Sequence, residues 1–482
     1  MKLRELLAGV PICAGSADLE MEISGVSYDS RTTRPGDLFV AMTGFATDGH
    51  QYIAKALANG AAAVLCQRRP AEACAYVQTE DSRRALAVIG GNWFGHPAEK
   101  MTMIAVTGTC GKTTTTYLLK AILEQARGAK VGLIGTNQNM IGSDVIPTER
   151  TTPESFEVQK LFREMADAGC THVVMETSSH ALYLDRVYGV RYDVGIFTNL
   201  TQDHLDFHKT MENYCDAKAI LFRNCVTGVV NADDPWTPRL LKDADCKVMT
   251  YAEQADADLR AENIVLSAGG IAFDAVSGAE RAPIRVKIPG GFMVYNTLDV
   301  LGAALALGIS LEESAAVLAK VPHVKGRVEI VPTPGRDYTI LIDYAHTPDS
   351  MVNVLQTVKE FAKGRTVAVF GCGGDRDRTK RPLMGKAAAD WSDFAVVTTD
   401  NPRTEKPEAI IEDILPGFDG SATPYQVVVD RIEAIHWAMD HAEKDDVIVL
   451  CGKGHETYQE VNHVKHHMDE REIVADYLSS GR

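Results

Sequence analysis

The chain has 482 residues, 45% of them hydrophobic and 24% charged, with a formal net charge of −16. At about 150 residues per domain that is a globular protein of about three domains. The acidic balance argues against a nucleic-acid or membrane-surface partner, although local basic clusters leave room for an anionic substrate. No apolar run reaches the roughly 18 residues of a membrane span. The opening MKLRELLAGVPICAG reads as a short amphipathic helix rather than a signal segment. Ten cysteines without a C-x-x-C pair fit the reduced thiols of a cytoplasmic enzyme.

Residues 1–97 form a first unit of short strands, turns and one alanine-rich helix. Its polar turns are Asp29-Ser30-Arg31 and Pro35-Gly36-Asp37, and His96-Pro97 closes it. The second unit, 98–325, opens on a strand, Met103 to Val106. The turn Gly108-Thr109-Cys110-Gly111-Lys112-Thr113-Thr114 follows. Leu118, Leu119, Ile122, Leu123 and Ala126 then recur at helical spacing. Strand, glycine turn, lysine and helix make a phosphate cradle. Glycines let N–H groups approach the phosphates, the helix N-terminus and Lys112 supply positive charge, and a threonine hydroxyl suits Mg²⁺. The general P-loop pattern would require glycine at 106, where Val106 stands.

Further strands are expected at Val173 to Met175, ending in Glu176, and at Val194 to Phe197, leading into the stretch that holds Asp203, His204, Asp206 and His208. An acid at such a strand end can hold Mg²⁺ beside the phosphates. Lys218 lies in a helical stretch, Tyr214 to Phe222, and Asn231-Ala232-Asp233-Asp234-Pro235 closes another strand. The third unit, 326–482, has strands at Thr339–Asp343, 367–370, 395–398 and 447–450 alternating with helices, which predicts a parallel doubly wound sheet. Gly371 to Arg376, Asp400 to Arg403 and Gly452 to Glu456 follow three of these strands and make a ligand rim. A dinucleotide fingerprint fails at Arg376, where glycine is needed. That leaves a nicotinamide oxidoreductase without support, and a P-loop switch or motor would leave the third unit's loops without a purpose.

GTCGKTTTT, METSSHAL, FTNLTQDHLDFH, the Lys218 helix, NADD, DYAHTPDS, GCGGDRDRTKRPLMG, TTDNPRTEKP and CGKGHETYQ occur in this order. Together they resemble the Mur ligases, and within them the members that add the third residue of the peptidoglycan stem peptide. The resemblance implies an α/β protein of three domains: a small UDP-sugar domain, a central P-loop ATPase with a parallel or mixed sheet, and a Rossmann-like domain for the incoming amino acid. It implies that ATP, UDP-N-acetylmuramoyl-L-alanyl-D-glutamate and a diamino acid give the tripeptide, ADP and phosphate through an acyl phosphate. It also implies Mg²⁺, a cytoplasmic location and a monomer with small-molecule partners only.

Carried onto this chain, Gly108, Thr109, Cys110, Gly111, Lys112, Thr113 and Thr114 would hold the ATP phosphates, with Asn296, Asp343 and His346 around the nucleotide. Thr113, Glu176, His204 and Lys218 as a carbamate would hold the metal. Lys112, Glu176, His204 and Lys218 make up the catalytic set. Tyr28, Ser30, Gly44, Phe45, Ala46, Thr47, Arg150, Thr151, Thr152, Ser178 and Arg186 would contact the UDP-sugar dipeptide. Arg376, Asp400, Asn401, Pro402, Arg403, Gly452 and Glu456 would hold the amino acid. The chain departs from the family at Cys110, Met293 and Leu184, where Asn, Asn and Gln are usual.

The amino acid is expected to be meso-diaminopimelate. Arg403 offers a planar fork to its distal carboxylate and Glu456 an anion to its ammonium. Lysine would leave Arg403 buried without a partner, at roughly 3–5 kcal/mol. The same reaction with L-lysine, or a ligase like folylpolyglutamate synthetase, are the alternatives. Cys110, at a helix N-terminus beside Lys112, is expected to be a reactive thiol that ATP protects.

Overall fold

In the computed structural model of the chain, residues 1–44, 47–148, 150–267, 269–321 and 324–480 are described. They build three sheets flanked by helices and a small hairpin, Tyr458–Val461 with Val464–His467. Among the described residues no helix is long and apolar enough to cross a membrane.

The first sheet has five strands, of which Gly25–Ser27, Asp37–Val40, Ala63–Cys66 and Tyr76–Gln78 run parallel. The alanine-rich stretch divides: Ile53–Ala58 is helical, the helix stops at Asn59-Gly60, and Ala63–Cys66 is a buried strand. Helix Ser82–Phe94 is capped by Asp81, whose carboxylate accepts the Arg83 and Arg84 N–H groups. It carries the chain onto helix Ser155–Asp167 of the second unit.

The central sheet has eleven strands, with Thr102–Thr107 near its middle, between His172–Glu176 and Tyr192–Phe197 and parallel to both. Its side chains alternate as the pleat dictates. Ile104 and Val106 join the core under helices Lys112–Arg127 and Phe292–Ala306. Met103 and Ala105 join the opposite core with Val158 and Phe162. With apolar layers on both faces, the polar ends of these strands are confined to one rim. Three antiparallel strands, Leu259–Ser267, Gly270–Ser277 and Glu280–Val286, extend one edge, so the sheet is mixed.

The third sheet has six strands. Thr339–Asp343, Val447–Cys451, Thr366–Phe370, Phe394–Val397 and Tyr425–Val427 lie parallel in that spatial order. Glu329–Val331 pairs antiparallel with the first of them. The four strands expected from the sequence are parallel, and this short antiparallel strand is added at their edge. A short strand entering straight from the preceding unit has no crossover helix and can pair only antiparallel.

Candidate active site

Strand Thr102–Thr107 delivers the phosphate turn to the rim. Gly108 has φ +152°, and a Cβ there would collide with Thr198 Oγ1. Gly111 has φ +89°, and a Cβ there would strike Asn296 Oδ1. Only glycine fits both the backbone and the space. Asn199 pins the turn, its Oδ1 accepting Cys110 N–H (2.9 Å) and its Nδ2 donating to Cys110 O (3.2 Å), while Thr198 Oγ1 donates to the same carbonyl (2.7 Å). Lys112 Nζ is turned back onto the loop, donating to Gly108 O (2.9 Å) and Thr109 O (2.8 Å).

Thr113 and Glu176 meet directly. Thr113 Oγ1 donates to Glu176 Oε1 (2.9 Å), which also accepts Thr136 N–H (3.0 Å), and Thr136 Oγ1 donates to Oε2 (2.8 Å). Thr136 and Thr151 share a hydroxyl bond (3.0 Å). Thr152 Oγ1 donates to Glu176 O (2.9 Å) and accepts Ser178 N–H (3.1 Å), and Arg186 Nη1 donates to Thr152 O (3.1 Å). Thus Thr151, Thr152, Ser178 and Arg186 gather around the strand end that carries Glu176. Arg150 is exposed beside them.

Lys218 is fully buried, its Nζ donating to Gly108 O (2.7 Å) and lying 4.4 Å from the centroid of the Tyr214 ring. Burial, and then the neighbouring Lys112, push its pKa well below the ordinary lysine value. The residue is thereby driven toward the neutral amine. His204 sits at the rim with φ +53°, 3.4 Å from Asp203 and edge-on to His180. Burial draws its pKa down to about 4 against the pull of Asp203, so its imidazole is neutral at physiological pH, as a metal ligand must be.

Among the described residues no three His, Cys, Asp or Glu side chains form a ready metal cage. Mg²⁺ does not need one. It keeps several waters and takes one or two protein oxygens plus substrate phosphates. The Thr113 hydroxyl and Glu176 carboxylate, together at the phosphate turn, fit that donor set. The Lys218 amine does not fit it, whereas a carbamate on that nitrogen would.

Some expected residues have different surroundings from those implied. Both Asp343 carboxylate oxygens accept backbone bonds: Oδ2 from Val328 N–H and Oδ1 from Ala345 N–H, both at 2.8 Å. It shapes the loop that carries Tyr344 and His346. At Cys110 burial pushes the thiol pKa up against the lowering by Lys112, which opposes activation of that thiol. Asn296 lies against Gly111 with its Nδ2 directed at Met293 Sδ (3.7 Å), so the methionine that replaces the usual Asn still meets this amide.

In the first unit Ser30 is buried, its carbonyl held by Asn59 Nδ2 (2.7 Å). The Tyr28 hydroxyl bonds to Glu157 of the second unit, and burial followed by that carboxylate raises its pKa. Gly44 N–H donates to Thr47 O (3.0 Å), and the Thr47 hydroxyl reaches Tyr52. Phe45 and Ala46 lie outside the described residues.

A cleft of about 570 Å³ runs from this rim to the third sheet. His180, Asp203 and His204 form one wall, and His346, Arg376, Asp400, Asn401, Arg403, Gly452 and Glu456 the other. Pro402 completes the loop that carries Arg403. Arg403, with φ +50°, donates from Nη1 to Gly374 O (2.7 Å) and pairs through Nε with Glu460 Oε2 (3.2 Å). Glu456 Oε2 accepts from Lys453 Nζ (2.7 Å) and Asn401 Nδ2 (3.0 Å). Arg376 is exposed at the mouth.

Sequence reasoning missed Arg327, Lys453 and Glu460. Arg327 Nη2 donates to Thr113 Oγ1 (3.1 Å), and its guanidinium lies 4.9 Å from the centroid of the Tyr344 ring. No motif surrounds it. It is placed by the turn Gly326 to Val328, where Val328, a β-branched residue, is held at φ +43°. Lys453 lay within a quoted motif, but a lysine in a loop is normally solvated.

Three family models cover most of this architecture: the Mur ligase family catalytic domain at 22–91, the Mur ligase middle domain at 106–304, and the Mur ligase glutamate ligase domain at 326–454. The chain belongs to the Mur ligase family. It is 48% identical over 463 residues, 95% of each chain, to the UDP-N-acetylmuramoyl-L-alanyl-D-glutamate--2,6-diaminopimelate ligase of Clostridium botulinum. It is also 48% identical over 481 residues, 99% of each chain, to the protein of that name numbered 1 in Clostridium acetobutylicum. A solved structure with the same enzyme name is 32% identical, with a TM-score of 0.71, over 100% of this chain and 99% of that one.

Proposed function

We propose that this protein is an ATP-dependent amide ligase. It joins meso-diaminopimelate to the D-glutamate of UDP-N-acetylmuramoyl-L-alanyl-D-glutamate, releasing ADP and phosphate, in the cytoplasmic synthesis of peptidoglycan precursors. Near-full-length identity to ligases of that name supports the substrates. The observation that carries the chemistry is one cleft with Asp203 and His204 on one wall and Arg403 and Glu456 on the other.

A carboxylate is a poor electrophile, so one of its oxygens must first carry a leaving group. The γ-phosphate of ATP supplies it, giving an acyl phosphate, and the amine then attacks the carbonyl while phosphate departs. Lys112 and Arg327 would leave their neutral partners to hold the phosphates, offsetting charge that grows as the phosphoryl group transfers. Thr113 and Glu176 would hold Mg²⁺, which when bound neutralises phosphate charge. His204 and a carbamate on Lys218 would complete its surroundings. Thr151, Thr152, Ser178 and Arg186 would orient the dipeptide at the Glu176 strand end, with Tyr28, Ser30, Gly44 and Thr47 on the uridine side. Units 1–97, 98–325 and 326–482 would thus each bring one substrate.

The test is ADP release measured with ATP, the UDP-dipeptide and a panel of free amino acids. Turnover should need all three components and run fastest with meso-diaminopimelate. Stoichiometric AMP, or turnover without the dipeptide, would refute the reading.

A further inference from the structure

We propose that Lys453 is a positioning residue for the incoming amino acid, holding the Asp400–Arg403 loop and the Glu456 carboxylate in one fixed arrangement. This rests on the function proposed above and goes beyond it by naming what makes that pocket preformed.

The two loops come from strands that do not touch. Phe394–Val397 and Val447–Cys451 are separated in the sheet by Thr366–Phe370. No ladder of that sheet therefore joins the loop after one to the loop after the other. A two-bond bridge ties Arg403 to the hairpin, with Arg403 N–H on Glu460 O (3.1 Å) and Asn462 N–H on Arg403 O (2.8 Å), and side chains tie Asn401 to Glu456 itself. Lys453 Nζ donates to Asn401 Oδ1 (2.8 Å) on one loop and to Glu456 Oε2 (2.7 Å) on its own, and Asn401 Nδ2 closes the triangle at 3.0 Å. The ammonium is fully buried and lies 5.1 Å from the centroid of the Tyr458 ring. Asn401 Oδ1 accepts Glu460 N–H as well (2.9 Å), which joins the triangle to the hairpin that pairs with Arg403.

A buried lysine so placed has one consequence for the ligand. It neutralises Glu456 through Oε2 and leaves Oε1, which makes no hydrogen bond to the described residues, as the oxygen available to the cleft. The pocket then carries two balanced pairs, Lys453 with Glu456 and Arg403 with Glu460. That arrangement suits an amino-acid end bearing both an ammonium and a carboxylate, and it is set before the ligand arrives.

The experiment compares wild type, Lys453→Met, Glu456→Gln and the double variant in steady-state ADP release, varying each substrate in turn. Lys453→Met should raise KM for meso-diaminopimelate roughly 10- to 100-fold, the size of one charged hydrogen bond, with KM for ATP and for the UDP-dipeptide within about threefold. In the double variant both charges are gone, so KM should match Glu456→Gln alone within about threefold. Should Lys453→Met not fold, the neutral double variant still gives this comparison. Equal rises in all three KM values, an unchanged or lower KM for the amino acid, or effects that multiply in the double variant would overturn the assignment. If wild type fails to use meso-diaminopimelate, the proposed function falls. If wild type uses it and Lys453→Met behaves like wild type, only this inference does.

Discussion

The selectivity for a second carboxylate can be worked from the surroundings of Arg403. A lone buried guanidinium facing lysine would cost several kcal/mol. That is not the situation here, because Glu460 already balances Arg403 through Nε at 3.2 Å and Gly374 O takes Nη1 at 2.7 Å. Lysine therefore forfeits only the charged hydrogen bonds of the distal carboxylate, about 1.5–3 kcal/mol, or roughly 10- to 150-fold. The roughly 3–5 kcal/mol expected from the sequence is reduced accordingly. Arg403→Ala should bring the two amino acids within about threefold of each other. Glu460→Gln should act in the opposite direction. With its internal anion gone, Arg403 depends on the ligand for charge balance, and the preference for meso-diaminopimelate should widen by about tenfold. The assay is kcat/KM for both amino acids in the three proteins, with ATP and UDP-dipeptide saturating. Unchanged selectivity in Arg403→Ala, or a narrowed preference in Glu460→Gln, would refute the argument.

Three other outcomes are expected. Lys218→Ala should lose at least about a hundredfold in turnover, as loss of a preorganised charge at a phosphoryl-transfer site does, and small carboxylates should restore part of it; near-normal turnover would remove Lys218 from the site. Cys110, its thiol pKa raised by burial, should react with iodoacetamide more slowly at pH 7 than a free cysteine does; fast labelling blocked by ATP would reinstate the activated thiol. Glu405, held by hydrogen bonds from buried Arg381, has its pKa lowered from 4.5 to about 2. A depressed carboxylate stabilises the fold above its unfolded pKa and loses that contribution as pH falls from 4.5 toward 2, here about 1–2 kcal/mol after solvent screening. Urea midpoints of wild type should therefore fall more steeply over that window than those of Glu405→Gln; parallel curves would contradict it.

The rim was legible in the sequence for a physical reason. A strand buried on both faces must be apolar along its length, so Met103 to Val106 and Val173 to Met175 stand out, and the polar residues that follow can only be at its end. The strands run one residue further than those apolar cores, to Thr107 and Glu176. Edge strands gave a weaker signal. Leu259–Ser267, Gly270–Ser277 and Glu280–Val286 interleave buried residues with less buried ones, and no single apolar run marks them. Arg327, Lys453 and Glu460 were illegible because their significance is tertiary. Each is an ordinary charged residue in a short loop or hairpin until the fold sets it against Thr113, Asn401 or Arg403.

The cations of the phosphate turn explain how binding nucleotide can be coupled to the third unit. Lys112 donates to Gly108 O and Arg327 donates to Thr113 Oγ1, so each is held by a neutral oxygen. Phosphate oxygens are stronger acceptors for such donors, about twice as strong per bond. Anion binding would therefore gain by exchange rather than by ordering free side chains. Arg327 differs from Lys112 in where it comes from. Its turn is fixed to the third sheet by Val328 N–H on Asp343 and by Gly326 N–H on Glu329 Oε2 (2.6 Å). Any shift of that sheet moves Arg327 relative to Thr113. Arg327 would thus report the position of the unit that carries Arg403 to a bound nucleotide through one side chain.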